Sequence, residues 1–239
     1  MDRHIFKSSK YVVTSSEFNR KEVRRLYGES AVQKVKVIPL GFSSEFSVIP
    51  RDNTVLDKYN LKKPYILYVG RVEEKKNIVR LIQAFNGVRK TIDVQLVLIG
   101  KPGVGYEKIK KEIEASLFKE DIHELGFVKK EDLSAFYYGA WVFAFPSLYE
   151  GFGLPVLEAF ASQIPVLTSK GTGAIEVAGD AAVIVDPMSV EEITKGIDKL
   201  LNDGNFRKDL VLKGKERLCY YSWEKTSVGI WEILRNCQE

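Results

Sequence analysis

Residues 141–169, WVFAFPSLYEGFGLPVLEAFASQIPVLTS, decide the fold. Trp141 to Pro146 and Ile164 to Ser169 are short apolar runs bounded by proline, serine and glycine, and they read as strands buried on both faces. Between them, Leu154 to Ala161 is apolar on all sides and carries Pro155 in its first turn, where a missing N–H costs little, so it reads as a helix. A strand, a helix and a second strand in so short a span make one βαβ unit, which requires a parallel sheet.

The same alternation extends outward. YILYVG (65–70), VQLVLIG (94–100), a weaker DIHELGF (121–127) and AVIVDP (182–187) read as further strands. Helical faces lie between them: Ile78, Leu81, Ile82, Phe85 and Val88; Leu133, Phe136 and Tyr137; Ile193, Ile197 and Leu200. The expected fold is α/β, a doubly wound, mostly parallel, Rossmann-like sheet spanning residues 62–216.

Residues 1–61 read differently. YVVTSS (11–16) is a strand, SEFNRKEVRRLYG (16–28) a helix with Ser16 as N-cap and Gly28 as its stop, and VKVIPLG (35–41) another strand. Residues 42–64 are polar and turn-rich and read as a connector. So few elements cannot bury a core, so residues 1–61 are expected to be the tail and connector of an absent domain. Residues 217–239 are expected to form a C-terminal helix whose Trp223, Val228, Trp231 and Leu234 seek a partner surface.

Composition narrows the function. A chain of 239 residues with 45% hydrophobic and 28% charged residues belongs with soluble globular proteins. No apolar run approaches the roughly 20 residues of a membrane span, and the first residues do not form a signal peptide. The expectation is a cytoplasmic protein with at most peripheral contact at the inner membrane surface. Cys219 and Cys237 are too few for a disulfide framework or a zinc site. The net charge of +4 mildly favours an anionic ligand, and without a basic stripe interleaved with aromatics nucleic acid is not expected.

Ligands of open parallel sheets bind beyond the carboxyl ends of the strands. The residues there are Gly70-Arg71, Gly100-Lys101, Gly126 to Val128, Pro146 to Gly153 and Thr168 to Gly173, rich in glycine and including the cations Arg71 and Lys101. Glycine allows close backbone approach and arginine offers a fork of donors, a combination suited to phosphate. The free N–H groups that open the 154–161 helix add an anion seat. Glu158, a lone carboxylate in that apolar helix, needs hydrogen bonds, supplied either by vicinal hydroxyls such as a ribose or by a backbone N–H or nearby basic residue.

EGFGLPVLE (150–158) resembles the E-x7-E signature of retaining glycosyltransferases of the GT-B fold, most closely glycosyltransferase family 4. VTSSEFNRKEV, VKVIPLGFSSEF, YVGRVEEKKNIVRLIQAF, LVLIGKPG, LGFVKKEDLSAFYYGAWVFAFPSLYEGFG, EVAGDAAVIVDP and YSWEKTS resemble further segments of that family in order, over almost the whole chain. The family's proline before glutamate in the EV segment is replaced here by Ile175.

The resemblance implies a nucleotide-sugar donor. Glu158 would hold the ribose hydroxyls and Glu150 a hydroxyl of the donor sugar. Arg71 and Lys76, following Gly70, would clamp the diphosphate with backbone N–H groups of Phe152, Gly153 and Leu154, and Val128 would bind the base through its backbone. Glu150, Arg71 and Lys76 are the implied catalytic set, and the leaving phosphate would take the acceptor's proton on the same face. No D-x-D sequence occurs, so neither metal nor cofactor is expected, and neither His4 nor His123 is placed to serve as a base. GDP-mannose is the favoured donor, with a UDP-sugar as the other possibility, and the acceptor would be a glycan or a lipid-linked sugar. The resemblance also implies that this is the second, donor-binding half of a two-domain enzyme, with the N-terminal strand and C-terminal helix as sites for a partner subunit or self-association. A non-catalytic donor-binding subunit is the alternative. A Rossmann dehydrogenase would need G-x-G-x-x-G, which GKPGVG (100–105) does not match.

Overall fold

The computed structural model describes residues 3–47, 54–59, 61 and 64–238. Residues 48–53, 60, 62 and 63 of the expected connector lie outside the described residues.

In the N-terminal segment, α1 (Arg3–Ser8) precedes β1 (Val12–Thr14), followed by α2 (Glu17–Tyr27), α3 (Glu29–Val32) and β2 (Val35–Val37). The two strands pair in parallel, with Val12 opposite Val35. Ser16 caps α2, its hydroxyl accepting from the Asn19 N–H, and Gly28 ends the helix at φ 86°. The expectation that this segment buries no core is corrected: Phe6, Val23, Ala31, Val32 and Val35 form a separate small cluster. The elements that complete it, α1 and α3, carry too few apolar residues to show a period.

The connector also contributes more than a link. A 3₁₀ turn at Ser44–Ser47 and α4 (Thr54–Asp57) bring Phe46 and Leu56 into the main core.

That core surrounds six parallel strands: β3 (Tyr65–Val69), β4 (Gln95–Ile99), β5 (Ile122–Gly126), β6 (Val142–Phe145), β7 (Val166–Ser169) and β8 (Ala182–Val185). Their order is β5-β4-β3-β6-β7-β8. Helices α5 (Ile78–Arg89), α6 (Tyr106–Ala115), α7 (Lys130–Gly139), α8 (Leu154–Ala161), α9 (Ala174–Ala178), α10 (Val190–Asn202) and α11 (Gly204–Leu218) make the connections and cover the sheet. Every residue of β4, β6 and β7 is buried, which is why these strands read as unbroken apolar runs. Helix α6 sets a narrow face of Tyr106, Ile109 and Ile113 on the core, of which only Ile109 is fully buried, and in α11 only Leu210 and Gly214 are.

The chain winds outward from β3 through β4 to β5, then returns to the other side of β3 with β6. The reversal opens a crevice beyond the carboxyl ends of β3 and β6, the usual ligand position in such sheets. The loops on either side are packed tightly. Gly100 has φ 149°, and a Cβ there would lie 1.8 Å from the Gly70 carbonyl oxygen.

The last helix, α12 (Trp223–Gln238), runs back along the N-terminal segment. Thr226 Oγ1 donates to the Pro39 carbonyl at 2.8 Å, and Lys10 Nζ donates to that of Asn236 at 2.7 Å. Trp223, Val228, Trp231 and Leu234 stay exposed. No described helix is long and apolar enough to cross a membrane.

Candidate functional site

The crevice between β3 and β6 collects the charged residues singled out in the sequence. Gly70 and Arg71 follow β3, and their loop is stitched to the neighbouring one: Gly70 N–H donates to Ile99 O at 2.9 Å, Val72 N–H to Lys101 O at 3.0 Å, and Gly103 N–H to Val72 O at 2.9 Å. The aliphatic stem of Arg71 lies over Gly103, where an added Cβ would come within 2.8 Å of Cγ and Cδ. Its exposed guanidinium makes no ion pair among the described residues, leaving its donors open to a ligand.

Lys76 ends a 3₁₀ turn (Glu74–Lys76), and Asn77 follows it in the left-handed region at φ 63°. The buried Asn77 amide donates to Pro146 O at 3.0 Å and to Pro187 O at 2.7 Å, while Leu148 N–H donates to Lys75 O at 2.9 Å. These bonds tie the β3–α5 loop to the β6–α8 loop and so bring two residues distant in sequence together. Lys76 Nζ is hydrogen-bonded to Glu150 Oε2, with both side chains largely buried, and lies 5.1 Å from the Phe145 ring centroid. Glu150 and Lys76, both members of the implied catalytic set, thus satisfy each other.

Glu150 is held through its backbone as well. Gly173 N–H donates to Glu150 O at 2.7 Å, and a Cβ on Gly173 would lie 2.4 Å from Gly151 O, so only glycine permits this approach. The turn then enters α8 through Gly153 at φ 112°. The N–H groups of Phe152, Gly153 and Leu154 have no acceptor among the described residues, and Pro155 has none to offer. The helix end thus points unpaired donors and its positive dipole at the crevice. Phe152 itself is buried against Tyr221, with ring centroids 5.9 Å apart.

Glu158 lies one turn into α8. Its partner is neither a backbone N–H nor an ion-paired base: the fully buried Tyr137 hydroxyl donates to Oε2 at 2.8 Å. Burial raises the Glu158 pKa above the ordinary glutamate range, opposed by the Tyr137 bond and the Lys130 charge. Val128 precedes α7 by two residues, and Lys130 opens that helix. Val128 is buried, and its N–H and carbonyl have no partner among the described residues. Lys101, exposed, lies 5.2 Å from the Phe127 ring centroid.

Sequence reasoning missed Tyr137, which it placed on an apolar helix face, and Asn77, whose position at the end of a lysine-rich turn was the available signal. It also gave no part in the site to Ser16 or Glu176.

A profile described as "Glycosyl transferases group 1" matches residues 55–217. This chain belongs to the group 1 glycosyl transferases. Among curated members, O-antigen chain mannosyltransferase B of Escherichia coli is 36% identical over 224 residues, covering 91% of this chain and 58% of that protein. The capsular polysaccharide biosynthesis glycosyltransferase CapM of Staphylococcus aureus is 32% identical over 212 residues, covering 84% and 54%. The chain therefore spans between half and two thirds of these group 1 relatives. Among solved structures, HepE of Anabaena in complex with UDP and glucose superposes with a TM-score of 0.86 at 18% identity, covering 97% of this chain and 64% of that one. At that identity the likeness bears on the fold, which is that of GT-B glycosyltransferases.

The raised pKa of Glu158 carries a prediction. Below the unfolded pKa the group is protonated in both states; as pH rises toward the folded pKa the unfolded chain ionises first, so the fold is penalised and remains so above it. Glu158→Gln should hold or raise the melting temperature at neutral pH and make no difference in acid. Melting curves of the two proteins across pH check it.

Proposed function

We propose that this chain is the donor-binding half of a retaining glycosyltransferase of family 4, with residues 62–216 holding a nucleotide-diphosphate sugar. The observation that carries the reading is the convergence, at the sheet's reversal point, of Arg71, Lys76 and the unpaired N–H groups of Phe152, Gly153 and Leu154 around a space flanked by Glu150 and Glu158.

In this reading the diphosphate lies between the two cations and the N-terminus of α8. The ribose sits against Glu158, the base against the Val128 backbone, and the hexose against Glu150. Cleavage of the bond from anomeric carbon to phosphate oxygen places negative charge on the leaving diphosphate and positive character on the ring. Cations and N–H donors fixed in advance stabilise that charge more in the transition state than in the ground state. A leaving-phosphate oxygen takes the proton of the incoming acceptor hydroxyl, which attacks from the same face, so configuration is retained. The protein's own donors carry the diphosphate, and no metal or cofactor enters the scheme.

GDP-mannose is the favoured donor, its sugar supported by the Escherichia coli relative named as a mannosyltransferase. A UDP-sugar is the second candidate. The acceptor is a glycan or lipid-linked hydroxyl, consistent with relatives named for O-antigen and capsular polysaccharide.

Calorimetry with GDP, UDP and GDP-mannose in the presence of a chelator tests the proposal. Saturable binding of a nucleoside diphosphate without metal is expected, with GDP the tighter. Binding that required magnesium would contradict it.

A further inference from the structure

Helix α2 belongs to the N-terminal segment, yet the first turn of this helix touches the loop that carries Glu150. Ser16 is buried, and besides capping its own helix its hydroxyl donates to Gly151 O at 2.5 Å. The Glu176 carboxylate, on α9, accepts from the Glu17 N–H at 2.9 Å and from the Phe18 N–H at 2.5 Å. The rings of Phe18 and Tyr149 meet edge to face with centroids 5.4 Å apart. The Asn19 amide covers Gly151, where an added Cβ would lie 3.1 Å from it.

These contacts close a ring. Helix α2 holds the loop through Ser16 and Gly151, α9 holds the loop through Gly173 and Glu150, and α9 holds α2 through Glu176. The third corner is anchored from outside: Arg217 donates to the carbonyls of Val177 and Glu176, and the Tyr221 hydroxyl to Glu176. Two successive carbonyls, of Glu150 and Gly151, are thereby fixed by different elements, which determines how the Glu150 side chain enters the crevice. A single tether would leave the loop free to turn about it.

We infer that Ser16 and Glu176 are positioning residues for Glu150, setting its orientation toward the donor sugar from the N-terminal side of the molecule. The inference rests on the reading of Glu150 as the sugar-binding carboxylate. The arrangement makes recognition of the sugar, but not of the nucleotide, depend on where the N-terminal segment sits.

The test is calorimetry on the full chain with a nucleoside diphosphate and the matching nucleotide sugar, using Ser16→Ala, Ser16→Thr, Glu176→Gln, Glu150→Gln and the Ser16→Ala/Glu150→Gln double variant. One hydrogen bond sets the scale, so Ser16→Ala should lower nucleotide-sugar affinity about three- to tenfold and leave nucleoside diphosphate affinity within about twofold. Ser16→Thr keeps the hydroxyl and should restore wild-type behaviour. Glu176→Gln should repeat the sugar-specific loss, and unchanged nucleoside diphosphate binding in either variant shows an intact fold. In the double variant the loss should not exceed that of Glu150→Gln alone, because Ser16 acts through Glu150. Additive losses, or equal losses for both ligands, would overturn the inference. Were Glu150→Gln itself without a sugar-specific effect, the reading of Glu150 would fall first; a normal Ser16→Ala beside an impaired Glu150→Gln would overturn this inference alone.

Discussion

Arg71→Ala weakens binding of a nucleoside diphosphate by about ten- to a hundredfold and leaves the affinity for the free nucleoside unchanged. The magnitude follows from charge-assisted hydrogen bonds of about 1.5–3 kcal/mol between guanidinium and phosphate oxygens. The structure makes this a clean experiment. The guanidinium has no ion-pair partner among the described residues, so its removal strands no buried charge, and the loop is held by backbone bonds from Gly70, Val72 and Gly103 that do not involve the side chain. Titration of both ligands into the variant checks it; a matching loss for the nucleoside would mean that Arg71 supports the loop rather than the phosphate.

Glu150→Gln separates sugar from nucleotide. The Glu150 carboxylate pairs with Lys76, so in the proposed scheme donor binding exchanges that pair for two new partnerships, carboxylate with sugar hydroxyl and ammonium with diphosphate. The variant releases Lys76 without the exchange, and its affinity for nucleoside diphosphate should hold or rise. Affinity for the nucleotide sugar should fall by about ten- to a hundredfold, the scale of a charged hydrogen bond. Glu158→Ala should instead weaken both ligands together, because the ribose is common to them. Parallel titrations of the two variants check the division, and equal losses in Glu150→Gln with an unchanged melting temperature would contradict it.

The six strands of the main sheet and the capping of α2 by Ser16 were legible in the sequence, because burial on both faces writes apolar runs and a cap is a local choice. Strand order was not, since a run of valines and isoleucines does not say which strand lies beside it. The crevice between β3 and β6 depends on that order. The helices α6 and α11 were hidden by their charge, with one or two fully buried residues each. The Glu158 carboxylate was recognisable as costly in an apolar helix, but its partner was not. Tyr137 shows an apolar ring to the pattern of α7, and only tertiary packing aims its hydroxyl. Lys76 and Glu150 are joined by loops tied through Asn77 and Leu148, contacts that no local period encodes.

The account stands on a diphosphate seated between Arg71, Lys76 and the start of α8. The most direct measurement is the backbone amide spectrum of the labelled chain titrated with GDP in chelator. The amides of Gly70, Phe152, Gly153 and Leu154 should shift most, with Val128 following only when the base is present and inorganic pyrophosphate reproducing the others. Shifts that left these amides in place and gathered instead around the groove lined by Trp141, Arg207 and Leu212 would contradict it.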